Sequence, residues 1–168
     1  MPLAIEVKKS KSLWNNFKLK STPTYCKKVI GRTLAIDYGL KRTGLASCDP
    51  MGITAQPLPA IVSSNLETTI ADILEHVKER QIVRLLIGMP YLPDGSEGEQ
   101  AQSVHLFIDA CRKALPEGFD IQHQDERHTT KEAHTLLRET GLKGKKKNAV
   151  LDSTAAVVIL REFLAARC

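Results

Sequence analysis

At three places in this chain carboxylates stand where they are costly unless paired or holding a cation. Asp37 closes the apolar run Leu34, Ala35 and Ile36, which follows the β-branched Thr33 and reads as a strand buried on both faces. Asp125 and Glu126 follow the alternating Phe119, Ile121 and His123, where a strand gives way to the capping-box spacing Thr129 to Glu132. Alternation sends these two to opposite sides, and Glu126 is assigned to the side of Asp37. Asp152 shares a helical face with Ala155, Ala156, Ile159 and Phe163, which turns its carboxylate toward apolar packing. Each position also has a structural explanation. Asp37 would cap its own turn, Asp125 and Glu126 would order theirs and pair with Arg127, and Asp152 would be a first-turn aspartate behind Asn148 as cap. If the three converge, they form a set of hard oxygen ligands for Mg2+ or Mn2+. Two such ions activate water and steady the leaving oxygen of a phosphodiester.

Cationic side chains accompany the acids. Lys41 and Arg42 sit in the turn after Asp37, Arg127 adjoins Glu126, and Lys143, Lys145, Lys146 and Lys147 fill the stretch Gly141 to Lys147, which reads as a flexible basic loop. Against a phosphate backbone such groups position the substrate. Residues 1–32 hold eight Lys or Arg against the single acid Glu6, an excess of +7; with the whole chain at +5, the remainder is −2. A basic arm on a weakly acidic body suits a polyanion. A solvated, partly disordered tail and an organellar transit peptide are the other readings, the second weakened by the lack of an amphipathic repeat. Leu13, Trp14 and Phe17 would pack on the body or stack on bases.

The elements that must position these groups follow from periodicity. Thr43 to Cys48 reads as a strand returning from the Asp37 turn, so the two make a β-hairpin. Ala55 to Val62 reads as a third strand, and Pro57 and Pro59 place it at a sheet edge. Ser64 and Glu67 have capping-box spacing ahead of a helix whose apolar face is Leu66, Ile70, Ile73, Leu74 and Val77. Ile82 to Ile87 reads as a fourth strand, parallel to the first because a helix joins them. Gly88 to Gly98 reads as a loop, and Ala101, Val104, Ile108, Cys111 and Leu115 mark a helix stopped by Pro116. After the fifth strand, a helix bearing Ala133, Leu136 and Leu137 ends near Gly141, and residues 149–165 make a buried helix. Ligands of such sheets gather outside the carboxyl ends of the strands, where Asp37, the 88–98 loop and Asp125–Glu126 all fall.

Composition narrows the class. At 168 residues, with 42% hydrophobic and 26% charged, the chain suits one globular domain. No stretch approaches the roughly 18 apolar residues of a membrane span, and no leader is evident, so the expected compartment is the cytoplasm. Cys26, Cys48, Cys111 and Cys168 have neither zinc-ligand spacing nor the pattern of a disulfide framework.

The segments AIDYGLKRTG, LLIGMPYLPDGSEG, DERHTT and DSTAA, in this order, resemble the successive motifs of the YqgF family, known as Holliday junction resolvases or pre-16S rRNA nucleases. The resemblance runs from about Thr33 to Leu164. It implies an RNase H-like α/β fold with a mixed five-stranded sheet in the order 3-2-1-4-5, occupying residues 32–168 behind a basic extension, 1–31, that the family does not share. It also implies catalytic acids at Asp37, Glu126 and Asp152, the same three that burial and position select. The implied activity is metal-dependent hydrolysis of structured nucleic acid, foremost the 5′ end of precursor 16S rRNA and alternatively a four-way DNA junction. Junction resolution asks for a homodimer, whereas trimming an RNA end needs only a monomer. A non-catalytic nucleic-acid-binding module would use the same basic surfaces. An actin-like or sugar-kinase ATPase begins with a similar acidic-glycine hairpin, but needs two such domains where this chain has room for one.

Overall fold

Leu34, Ala35 and Ile36 have no solvent exposure, and the strand they form, β1 (Arg32–Asp37), is the middle strand of five. The structure, a computed structural model, describes residues 31–125 and 145–166, of which residues 145–152 are described by backbone alone. From β1 the chain turns back into β2 (Arg42–Cys48), antiparallel, with Asp37 opposite Gly44. This turn requires glycine at 39, where a Cβ would stand 2.6 Å from the carbonyl oxygen of Arg42. Next comes β3 (Ala55–Val62), antiparallel to β2 and at the sheet edge, where the missing N–H groups of Pro57 and Pro59 cost least. An irregularity in the pairing between Thr43 and Leu45 gives β3 one extra residue, so Leu58 and Ile61 both reach the same core.

The helix α1 (Leu66–Glu79) carries the chain to β4 (Ile82–Met89), which lies parallel to β1. The helix α2 (Glu99–Ala114) leads in the same way to β5 (Asp120–Asp125), parallel to β4. The sheet order is therefore β3-β2-β1-β4-β5, as the sequence implies. One face takes α1 and α2: Leu34, Ile36, Leu45, Leu85 and Ile87 pack with Ile73, Val77, Val104 and Phe107. The other takes α3 (Lys145–Ala165), whose Ala156, Val157, Ile159, Leu160 and Phe163 pack on Ala35, Ala46, Cys48 and Leu86. Alanines on both sides of that contact let the helix come close to the sheet. Each large side chain so buried contributes about 1.5–3 kcal/mol before entropy is counted.

Three local expectations are corrected. Helix α1 is capped by Asn65, whose side chain accepts from the Glu67 N–H at 2.8 Å, and not by Ser64; the Ser63 hydroxyl in turn accepts from the Asn65 N–H at 3.1 Å. An amide at 65 reaches the second helical N–H directly, so the helix starts one residue later than the capping-box spacing implies. Strand β4 runs on through Met89, two residues past Ile87, and shortens the loop that follows. Helix α3 begins at Lys145, so Lys145, Lys146 and Lys147 form its first turn and do not belong to a loop. Lysine has high helix propensity and offers no reason to stop there. The expected helix after Thr129 and the arm of residues 1–30 lie outside the described residues. Among the described residues no helix is long and apolar enough to cross a membrane.

Candidate active site

The parallel strands β1, β4 and β5 end at one edge of the sheet, at Asp37, Met89 and Asp125. Along β1, Leu34 and Ile36 face α1 and α2 while Ala35 faces α3. Alternation therefore gives Asp37 to the α3 face, where it is half-buried. Its neighbour Tyr38 lies with the opposite core and stacks on Phe107, with ring centroids 4.2 Å apart and planes 11° from parallel. That stack fixes the end of β1. Burial pushes the Tyr38 hydroxyl above its ordinary pKa, as does the nearby Cys111 thiol. Cys111 itself is raised to about 12 by burial, which makes it an inert packing group.

On the α3 face, the residues beside Asp37 lack side chains. Gly44 pairs with it on β2. On β4, Ile36 pairs with Ile87, so the next step of the register brings Gly88 level with Asp37. Gly88 in turn pairs with Gln124 on β5. The row Gly44, Asp37, Gly88, Gln124 is thus a shallow floor with one carboxylate at its centre. Glycine inside a strand commonly marks a place where another group approaches the backbone closely. Neither glycine stands out in the sequence, because their adjacency appears only once three strands are placed in register.

The helix over this face is fixed at two points. Ser153 is buried and its hydroxyl donates to the Leu58 carbonyl at 2.6 Å. Near the other end, Phe163 lies under the Arg84 guanidinium, 5.5 Å from ring centroid to carbon. Arg84 is 2% exposed and gives its Nε–H to Asp120 at 2.6 Å, so the buried cation is paired. Arg84 is level with Thr33, about 13 Å down the strands from Gly88. Helix α3 therefore runs antiparallel to β1, with its amino-terminal part toward the Asp37 edge. Leu58 pairs with Leu45, and Leu45 with Ile36. Ser153 thus stands at about the level of Ile36, one residue before the end of β1, and Asp152 is the next residue of the helix toward that edge. Asp152 is seven residues into α3, so the cap-and-first-turn explanation no longer applies to it.

On β5, Asp125 pairs with Met89, whose side chain belongs to the α1–α2 core. Asp125 therefore falls on the face away from Asp37. Glu126, Arg127 and Lys143 lie outside the described residues. Lys41 and Arg42 are exposed at the hairpin beside Asp37, and Lys145, Lys146 and Lys147 occupy the first turn of α3. Residues 90–98 form an ordered turn at the end of β4: Tyr91 bridges Glu97, Leu92 N–H donates to the Ser96 carbonyl at 2.9 Å, and Gly95 has φ of 85°. The Asp94 carboxylate accepts from Ser96 N–H at 2.9 Å and from its hydroxyl at 2.6 Å, which holds its pKa below the usual range.

A protein family described as the Holliday junction resolvase RuvX matches residues 31–166 of this chain. A relative from Synechococcus sp., provisionally named a pre-16S rRNA nuclease, is 38% identical over 131 residues, spanning 78% of this chain and 87% of its own length. One from Syntrophus aciditrophicus, with the same name, is 36% identical over 133 residues, spanning 79% and 87%. Among solved structures, RuvC of Thermus thermophilus in complex with a Holliday junction superposes with a TM-score of 0.55 at 18% identity, covering 81% of this chain and 95% of that one. The fowlpox virus resolvase bound to junction DNA gives 0.52 at 8% identity, covering 80% and 97%. At these identities the two structures share the RNase H-like fold.

Proposed function

Because the chain belongs to the RuvX family of Holliday junction resolvases, we propose that it hydrolyses phosphodiester bonds in structured nucleic acid, and that its substrate is the 5′ end of precursor 16S rRNA. The observation that carries this reading is the level of α3. The Ser153 bond to Leu58 fixes the helix at a level near the end of the strands, on the face that Asp37 occupies, which supports Asp152 as a partner of Asp37. Asp125 falls on the other face, and one further step of alternation favours Glu126 as the third acid.

Asp37, Glu126 and Asp152 offer only hard oxygen donors, a set that suits Mg2+ or Mn2+ and not a thiolate-loving metal. When bound, such ions supply an activated water and a positive charge at the leaving oxygen. The remaining tasks belong to the chain. Gly44 and Gly88 leave room for a phosphate to come down beside Asp37. Lys41, Arg42, Arg127, Lys143, Lys145, Lys146 and Lys147 hold the phosphates on either side. Tyr38, clamped by Phe107, keeps the Asp37 backbone from shifting as substrate arrives.

The names of the 36–38% identical relatives favour RNA, whereas the family description favours a DNA junction. Offering the full chain both a precursor 16S rRNA fragment and a four-way DNA junction, with Mg2+ or Mn2+, separates the two. Cutting of the RNA near its mature 5′ end is the expected result. Cutting of the junction alone, by symmetric paired nicks, would instead identify a dimeric resolvase, and binding of either without cleavage would identify a non-catalytic module.

A further inference from the structure

Three large apolar side chains stand in water at the edge that carries Asp37. Leu40 is 67% exposed at the tip of the β1–β2 turn, Val62 is 71% exposed at the end of β3 opposite Arg42, and Leu92 is 46% exposed beyond β4. Exposed apolar side chains scattered singly need no explanation, and Met51 and Ile53 are as exposed beyond the far end of β2, so the place of each decides what it can do. Leu40 is the most telling, because the tip of a tight turn normally carries Gly, Asn or Asp. It is also rigidly presented. On one side Tyr38 is stacked on Phe107, on the other Arg42 is paired with Val62, and between them Gly39 has no space for a side chain. Lys41 and Arg42 follow it directly.

We propose that Leu40 is a wedge, which presses into the base stack where a paired stem meets an unpaired strand while Lys41 and Arg42 hold the adjoining phosphates. This rests on the nuclease reading and adds how the substrate is selected. Apolar side chains that enter a nucleic-acid stack do so beside cations that fix the backbone, and the kink they impose is cheapest where pairing is already interrupted. A wedge one turn from Asp37 would place the scissile phosphate by the branch itself and not by a base sequence. Nucleic acid is the fitting occupant because the apolar tip is bracketed by cations and faces the catalytic edge; a purely apolar protein partner would leave Lys41 without a role.

The test uses the full chain carrying Asp37→Asn, so that bound substrate stays intact. The probes are a four-way DNA junction and an RNA hairpin with a single-stranded 5′ extension, each with 2-aminopurine at the last paired step. Binding should raise the fluorescence of that base. Adding Leu40→Ser should abolish the rise while the complex still forms, and Lys41→Gln should instead weaken binding and reduce the salt slope by about 1. In the protein with Asp37 intact, Leu40→Ser should slow cleavage of a fully paired branch by about tenfold and that of a branch with a pre-opened step much less. An unchanged fluorescence rise with Leu40→Ser would overturn the wedge and leave the nuclease reading standing. Failure of the Asp37→Asn protein to bind either probe would overturn both.

Discussion

Asp37 and Asp49 show two uses of the same side chain within one hairpin region. Asp49 serves its own turn, accepting from Met51 N–H at 2.7 Å, Ile53 N–H at 3.2 Å, Thr54 N–H at 2.7 Å and the Thr54 hydroxyl at 2.6 Å. Those bonds, the Thr54 hydroxyl foremost, lower its pKa from 3.8 to about 2. A carboxyl depressed on folding stabilises the protein fully above its unfolded pKa, and that contribution fades as pH falls toward the folded value. The melting temperature should therefore fall between about pH 4 and pH 2 more steeply for the wild-type chain than for Asp49→Asn, and equal slopes would show that the turn does not use the charge. Asp37 stands instead at the carboxyl end of β1, in register with Gly44 on β2 and level with Gly88 on β4. The contrast separates a carboxylate that orders a loop from one held at the mouth of a central strand.

At the scale of the element, α3 decides where Asp152 stands, and Ser153 decides where α3 stands. Removing its hydroxyl, Ser153→Ala, should cost about 1 kcal/mol of stability, the usual net worth of one hydrogen bond. If the bond also sets the level of Asp152, turnover should fall by more than substrate affinity does; equal loss of both, or none, would make the bond purely structural. Much of this arrangement is legible in the sequence. Pro57 and Pro59 mark the edge strand, the uninterrupted Leu34–Ile36 run marks the central one, and the spacing of Ala156, Ile159 and Phe163 marks the buried face of α3. What is not legible depends on how distant segments meet. The start of α3 is hidden because Lys145–Lys147 after a glycine read equally well as loop, and only the helix they join tips the balance. The Gly44–Asp37–Gly88 row needs strand register, which no local pattern encodes. Asn65 displaces Ser64 as cap because both have suitable side chains, and the geometry of the β3–α1 connection chooses between them.

For the whole molecule, the placement of charge follows the placement of the strands. Asp37 closes one end of β1, whereas Gly31, from which the basic arm extends, sits at the other, held by Pro50 through a 3.0 Å backbone bond. β1 is six residues long, so the root of the arm is about 20 Å from Asp37. If the arm binds nucleic acid, it adds phosphate contacts without supplying any of the proposed acids. Deleting residues 1–31 should then flatten the dependence of log affinity on log salt, by roughly 0.7–0.9 for each phosphate that the arm neutralises, and change saturated turnover far less. An unchanged slope would make the arm a passive tail. The central claim, a cation-dependent nuclease site built from Asp37, Glu126 and Asp152, is tested most directly by single-turnover cleavage of whichever substrate the full chain cuts. The four proteins to compare are wild type, Asp37→Asn, Glu126→Gln and Asp152→Asn, each with Mg2+, after chelation, and after Mg2+ or Mn2+ is restored. The account predicts that chelation stops the wild-type reaction reversibly and that each variant, still folded by circular dichroism, loses about two orders of magnitude or more; a near wild-type rate in any of the three, or cleavage that persists through chelation, would contradict it.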